Sequence, residues 1–318
     1  MPENSNRKSE HFVAPFDENT FTQAVDAPKL DERRSGLWID AWRDIRKRWM
    51  FYIAAVLLVV VLAAVFFPSL FTGVDPRYCD LAMSNAGPAA GHPLGFTKQG
   101  CDVYSRIIHG ASTSVSVGLI STLLVFVLGT IMGAIAGFFG GWVDAVLSRI
   151  GDIFFAIPYI LAAVIVMGIF KEYRNIWTIS LAIGLFAWAS SARVLRAEVL
   201  RVRPSDYVTA SKAQGLGPWK TLWRHVLPNS MAPMIVVSTL SLAASIVAEA
   251  VLSFLGVGLP TPEFVSWGND ISAAQADLRT APENLIYPSI ALSLTVLAFI
   301  LLGELLRDAL DPKARAQR

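Results

Sequence analysis

Six long apolar runs dominate this chain, at Phe51 to Leu70, Ala111 to Phe139, Ile153 to Phe170, Ile176 to Ala192, Met231 to Leu259 and Asn284 to Gly303. An α-helix rises about 1.5 Å per residue, so roughly 20 apolar residues cross the ~30 Å hydrocarbon of a bilayer with every backbone group bonded internally. Each run is long enough, and only the fifth holds an ionisable residue, Glu249. Composition agrees, with 54% of residues apolar and 16% charged, against about 25% charged in ordinary globular chains. That balance excludes an ordinary soluble enzyme and whole-chain disorder. The reading is an all-α integral membrane protein with six transmembrane helices. Pro158 and Pro288 lie inside two of the runs. Each removes a backbone hydrogen bond and is expected to kink its helix or leave an open turn.

Charge sets the orientation. Of the 27 Lys and Arg residues, 21 fall in the N-terminal segment, the turn between spans two and three, the connection from Arg193 to Ser230 and the C-terminal tail. The positive-inside rule then places both termini and that connection in the cytoplasm. A net charge of +2 argues for no nucleic-acid partner and no acidic substrate, which leaves membrane lipid as the expected surroundings. Residues 1–36 are polar and read as a solvated cytoplasmic tail. The first span starts some fifty residues into the chain, the layout of a permanent anchor rather than a cleaved signal. Segment 37–71 adds, from Leu37 to Trp49, apolar and Trp residues at helical spacing beside Arg43, Arg46, Lys47 and Arg48. It is either an interfacial helix at headgroup depth or the polar start of the first span. Residues 72–110 form an outward loop, 111–306 a five-helix core and 307–318 a second tail.

Both cysteines, Cys79 and Cys101, fall in the outward loop, where the compartment permits oxidation. They read as a disulfide stiffening that loop by about 3 kcal/mol on the chain-entropy scale, with two free thiols as the alternative. In the second span Gly129, Gly133 and Gly137 recur every four residues, leaving one helix face bare for close backbone packing. Arg193, Arg196, Arg201 and Arg203 read as anchors among anionic headgroups. Glu263, Asp270, Asp277 and Glu283 read as an acidic outer surface that solvates its loop or orients a binding protein. No G-x-x-x-x-G-K-[ST] loop, H-E-x-x-H pair or G-x-S-x-G elbow occurs, and the four histidines are scattered. The nucleotide, zinc and hydrolase chemistries that need those spacings have no foothold.

The Arg193–Ser230 connection has structure of its own. Ser205 or Asp206 can cap a short helix running to Gln214, Gly215, Leu216 and Gly217 supply a turn, and Pro218 suits the first position of a second helix that Pro228 ends. On that second helix Trp219, Leu222, Trp223 and Val226 share one face. A rigid amphipathic hairpin suits docking to a soluble partner, with an interfacial helix against lipid as the alternative. Glu249 is too costly to leave charged and unpaired in hydrocarbon. Either it faces the bundle interior, bonding Ser245, Ser253 or a partner subunit, or it lines a path and meets a peptide's amino terminus.

The stretch from Tyr207 through Thr209, Ala210 and Ser211 to Gly215, with Leu227 and Pro228 following, resembles the EAA loop of ABC-importer permeases. Here Thr209 stands for the usual Glu, Ser211 for the second Ala and His225 for the usual Ile. Three further stretches resemble the oligopeptide/dipeptide (Opp/Dpp-type) branch and its C-type subunit. They are HPLG from His92 with GCDVYSRIIHGA ending at Ala111, AEAVLSFLGVG from Ala248 with SWGN from Ser266, and LRDALDP from Leu306. The likeness runs from about Leu37 to the C-terminus. Departures fall at Phe96, Thr97 and Cys101.

The resemblance implies the MetI-like fold of type I ABC importers and a multi-pass place in a prokaryotic cytoplasmic membrane. It implies a permease subunit that is not itself an enzyme and binds no cofactor, with ATP and Mg held by two ATPase subunits or one fused ATPase. A second, B-type permease subunit and an extracytoplasmic solute-binding protein complete the expected assembly. Peptides are the expected cargo, with nickel chelates or another small solute as the alternative, and a self-sufficient secondary transporter or channel as the reading from another class. Tyr207, Thr209, Ala210, Ser211, Gly215, Leu216, Gly217, Leu227 and Pro228 would form the coupling site.

Overall fold

The computed structural model describes residues 42–310; the polar tail 1–36, residues 37–41 and 311–318 lie outside them. The described residues form nine helices: α1 (Trp49–Phe66), α2 (Val103–Phe139), α3 (Gly141–Ala156), α4 (Tyr159–Ile169), α5 (Ile176–Val202), α6 (Asp206–Ala213), α7 (Pro218–Phe254), α8 (Trp267–Ala274) and α9 (Glu283–Leu310), besides a turn at 42–45 and short 3-10 turns. Five of them (α1, α2, α5, α7 and α9) are long and apolar enough to cross a bilayer, and α3 with α4 passes the same test as a pair bent by 78°. Six candidate spans result, the third of them broken. Its break sits at Pro158, and Ile157 before it is extended at φ −92°, ψ 120°, the backbone that a following proline ring enforces. Pro288, by contrast, is absorbed inside an unbroken α9. It lies near the start of that helix and costs only the bond its N–H would have donated to Asn284.

Two spans run longer than their apolar stretches, because polar side chains beyond the membrane find partners on neighbouring elements. Helix α2 starts at Val103, where the Asp102 carboxylate accepts the Ser105 N–H at 2.5 Å, and Arg106 one turn on pairs with Asp270. Helix α5 continues past Ala192 to Val202. Its arginines are not free headgroup anchors. Arg196 grips Asp144 of α3 with two bonds of 2.5 and 2.7 Å, Arg193 bonds Asp152 of the same helix at 2.7 Å, and Arg201 pairs with Glu198. Burial of the pairs' apolar stems along α3 makes an acidic partner cheaper to reach than the lipid surface.

Helix α2 lies backbone to backbone against α5. A Cβ at Gly129 would meet the Ser191 Cβ at 2.8 Å, one at Gly133 the Ala192 carbonyl oxygen at 2.5 Å, and one at Gly137 the Arg196 carbonyl oxygen at 2.9 Å. The bare stripe is therefore filled by the neighbouring main chain. Around this axis α7 and α9 pack against α2, and α1 lies on α9 with most of its surface open, as suits a lipid-facing helix. Trp42–Ile45 form a helical turn separated from α1 by an extended Arg48. Ile45 tucks against Ala54, Leu305 and Ala309; of the expected Leu37–Trp49 helix, residues 37–41 lie outside the described residues, and a turn at Arg46 and Lys47 with extended Arg48 interrupts the remainder.

The loop between α1 and α2 is held by three isolated bridges and by a disulfide between Cys79 and Cys101. Gly100 beside it has φ +76°, and a Cβ there would fall 1.8 Å from the Asp80 carbonyl oxygen. Only glycine lets the two chain segments close up enough for the bridge.

Replacing Gly133 with Leu should force α2 from α5 and cost roughly 1–3 kcal/mol of overpacking. Gly168→Ala, at a site with open space around it, should change little. Thermal unfolding of the two detergent-solubilised variants measures the difference.

Candidate functional site

The hairpin between α5 and α7 is built from local signals. Ser205 occupies the N-cap of α6 and Asp206 its first turn. At the other end Gly215 has φ +80°, its N–H donates to the Lys212 carbonyl at 2.9 Å, and the Leu216 N–H donates to the Ser211 carbonyl at 3.2 Å. These are the two bonds of a Schellman stop, which needs the left-handed residue that glycine supplies. Pro218 then opens α7 at its first position.

Pro228 does not end this second helix; α7 runs unbroken from Pro218 to Phe254. The missing proline N–H is accommodated by a π turn over Leu222–Val226, in which the Leu227 N–H reaches back to the Leu222 carbonyl. The two residues after the proline add side-chain bonds to the carbonyls one turn back. Asn229 Nδ2 donates to His225 O at 2.7 Å and Ser230 Oγ to Val226 O at 2.9 Å. A widened turn lets a proline pass through a helix that would otherwise stop.

The same π turn splits the expected apolar face. Leu222, Val226 and Leu227 turn inward with Val208 of α6, packing on Ala134 and Phe138 of α2 and on Leu195, Val199 and Val202 of α5. Trp219 and Trp223 stay about half exposed, with Trp219 stacked on Phe139 at 4.9 Å. Ser211 is buried and its hydroxyl donates to the Val208 carbonyl at 2.8 Å. Tyr207, Thr209, Ala210, Gly215, Gly217 and Pro228 are exposed, and Leu216 is half-buried. The hairpin is thus anchored on one side and bare on the other.

Glu249, on the far part of α7, is completely buried. One carboxylate oxygen accepts from Ser114 Oγ of α2 at 3.0 Å, and the other from Ser253 Oγ at 3.1 Å and from Ser266 Oγ at 2.8 Å. Ser253 was expected from its spacing; Ser245 makes no such bond, and Ser114 and Ser266 are distant in sequence. Ser266 also caps α8, accepting the Asn269 N–H at 3.1 Å, and Ser114 Oγ accepts the Trp267 N–H at 3.2 Å. Gly268 fits because a side chain there would press on Glu249 and Ala250. One carboxylate therefore ties α2, α7 and α8 together. A serine heading Ser-Trp-Gly-Asn was a legible cap signal, but nothing in the sequence aimed its hydroxyl at Glu249.

Of the four acids Glu263, Asp270, Asp277 and Glu283, two are paired within the chain rather than part of a solvated surface. Asp270 is buried and bonded by Arg106 at 2.7 Å, and Asp277 bonds Lys98 at 2.9 Å. Burial pushes the Asp270 carboxyl above the ordinary carboxylate range, against the lowering by the Arg106 guanidinium. The first pair clamps α8 to the start of α2 and the second clamps the turn after α8 to the disulfide loop, each cation meeting a largely desolvated acid.

Comparison with known proteins now bears on the whole arrangement. Residues 129–316 match the family described as binding-protein-dependent transport system inner membrane component, and residues 36–88 match the N-terminal transmembrane domain of oligopeptide transport permease C. The chain is 35% identical to the glutathione transport system permease protein GsiD of Pectobacterium atrosepticum, over 88% of its own length and 92% of that protein. It is 35% identical to the dipeptide transport system permease protein DppC of Bacillus subtilis, over 99% and 97%. Identity to the oligopeptide transport system permease protein OppC of Bacillus subtilis is 32%, over 92% and 95%. An inward-facing structure of the MetNI methionine ABC transporter shares the fold with a TM-score of 0.51 at 17% identity, covering 64% of this chain and 96% of that one. With six candidate spans, a MetI-like core and a proline-tolerant hairpin beneath it, the chain belongs to the ABC-importer permeases of the oligopeptide/dipeptide type, as a C-type subunit.

Proposed function

We propose that this chain is one of two permease subunits through which peptides are imported across the cytoplasmic membrane of a prokaryotic cell. Relatives named as dipeptide, oligopeptide and glutathione permeases support the cargo class. A homologous B-type subunit completes the path, and an extracytoplasmic solute-binding protein delivers the peptide. ATP and Mg belong to two ATPase subunits or one fused ATPase; this chain holds neither and performs no chemistry. The Arg- and Lys-rich ends, and with them the hairpin, face the cytoplasm.

The observation that carries this reading is the two-sided hairpin. Val208, Leu222, Val226 and Leu227 are locked against α2 and α5, while Tyr207, Thr209, Ala210, Gly215 and Gly217 face outward. Seated in an ATPase groove, that outward side receives the push when the nucleotide-bound ATPases close. The inward side passes it to α2, α5 and α7 as one body, which is what alternating access between the two membrane faces requires. Thr209 carries no charge, so docking rests on backbone shape and on the exposed Trp219 and Trp223 rings. Glu249 acts as a clasp for α8 rather than as a peptide contact, since every oxygen it has is already bonded inside the chain.

Gly215→Val puts a β-branched side chain at φ +80°, a strain of at least about 1–2 kcal/mol that re-aims the turn. The expected outcome is continued ATP hydrolysis with uptake largely lost in the reconstituted transporter. Uptake equal to that of the unaltered protein would count against the coupling role. For the clasp, Glu249→Gln keeps the side-chain shape and one acceptor oxygen, and rotatable serine hydroxyls can accept from its NH2, so it should leave cargo preference intact. Glu249→Leu strands buried serine hydroxyls at about 1–3 kcal/mol each and should lower the yield of assembled complex; a shift in peptide preference with Gln would instead argue for a path role.

A further inference from the structure

A cavity of about 330 Å³ opens where the third span is broken, roughly halfway along α5. Its walls are of two kinds. Phe154, Phe155 and Phe186 make an aromatic side, and around the break Pro158 and Tyr159 leave the backbone turned by 78°. The opposite wall is small and polar, with Ser241, Ala244 and Ser245 of α7. Among the described residues, the hydroxyls of Tyr159, Ser241 and Ser245 have no hydrogen-bond partner, although Ser245 is only 3% exposed. Serines in helices ordinarily donate to a carbonyl one turn back, as Ser238 does to Met234 at 2.8 Å. Ser241 and Ser245 do not, and with the Tyr159 hydroxyl they line one cavity, open to an acceptor or donor from outside the chain.

Lipid tails offer none, and unsatisfied polar groups facing hydrocarbon are disfavoured. Water and a peptide main chain both offer several. A space at the small end of ligand pockets, aromatic on one side and hydroxyl-lined on the other, matches one residue of a peptide, with its side chain against the phenylalanines and its amide groups toward the hydroxyls. We infer that this cavity is a cargo subsite for a single apolar or aromatic peptide residue in transit, that Tyr159, Ser241 and Ser245 bind its main chain, and that Ala244 sets how bulky that residue can be. The inference rests on the peptide-import reading above and adds to it the residues that discriminate among peptides.

The test uses the complete transporter, with its ATPases, second permease subunit and cognate receptor, reconstituted in proteoliposomes. The probes are labelled Ala-Ala-Ala and Ala-Phe-Ala. Ala244→Phe narrows the cavity and should lower the uptake of Ala-Phe-Ala about tenfold more than that of Ala-Ala-Ala. Ser245→Ala removes one hydroxyl without adding bulk and should raise KM for both tripeptides about three- to tenfold with the maximal rate kept. An unchanged uptake ratio in Ala244→Phe overturns the subsite while leaving peptide import standing. So does an equal loss of both peptides, the result expected if the second permease subunit packs into the cavity. Failure of the unaltered complex to import either tripeptide overturns the import reading and the subsite together. If Ala244→Phe does not co-purify with its partners, Ser245→Ala decides alone, and an unchanged KM for both peptides rejects the subsite.

Discussion

Hydrocarbon offers no hydrogen bonds, and most of this structure follows from how the chain meets that constraint at its irregular points. Its prolines make the case. At Pro158 the helix parts, leaving a bend and the cavity beside it. At Pro228 the helix survives, because the Leu222–Val226 turn before it widens into a π turn. At Pro288 it survives near a helix start with one bond forgone. The same residue type yields a broken span, a π turn and a nearly regular helix, and the difference lies in how the backbone before each proline is arranged.

The six spans were legible because apolar length is a property of the local sequence alone. The glycine stripe was equally legible as a packing surface, since Gly129, Gly133 and Gly137 share a helix face whatever lies opposite. What could not be read locally was anything that depends on a distant partner. Arg193 and Arg196 looked like headgroup anchors until Asp152 and Asp144 were brought beside them. Asp270 and Asp277 looked like a solvated surface until Arg106 of α2 and Lys98 of the disulfide loop were brought beside them. The hairpin fell between these cases. Its caps, turn and the family likeness of Gly215, Leu227 and Pro228 were readable, but the assignment of Leu222 and Val226 inward and Trp219 and Trp223 outward was not. A π turn shifts the helical register, and no periodicity computed at 3.6 residues per turn anticipates it.

The buried polar groups sort by whether the chain satisfies them itself. Glu249 is fully served by Ser114, Ser253 and Ser266, so its chemistry is spent on holding α8. Ser241 and Ser245 lie one to two turns away on the same helix and are not served. Conserving hydroxyl capacity on the cavity side while exhausting it on the clasp side divides α7 into a face that fixes structure and a face open to a visitor.

Helix α7 is continuous over 37 residues, about 55 Å at the usual rise. It begins at the hairpin turn and, five residues before its end at Phe254, carries the carboxylate that fastens α8. A single unbroken rod of that length cannot tilt at its foot without swinging its head. The hairpin turn and the Glu249 clasp are therefore borne on one shaft, so a displacement of either is felt at the other.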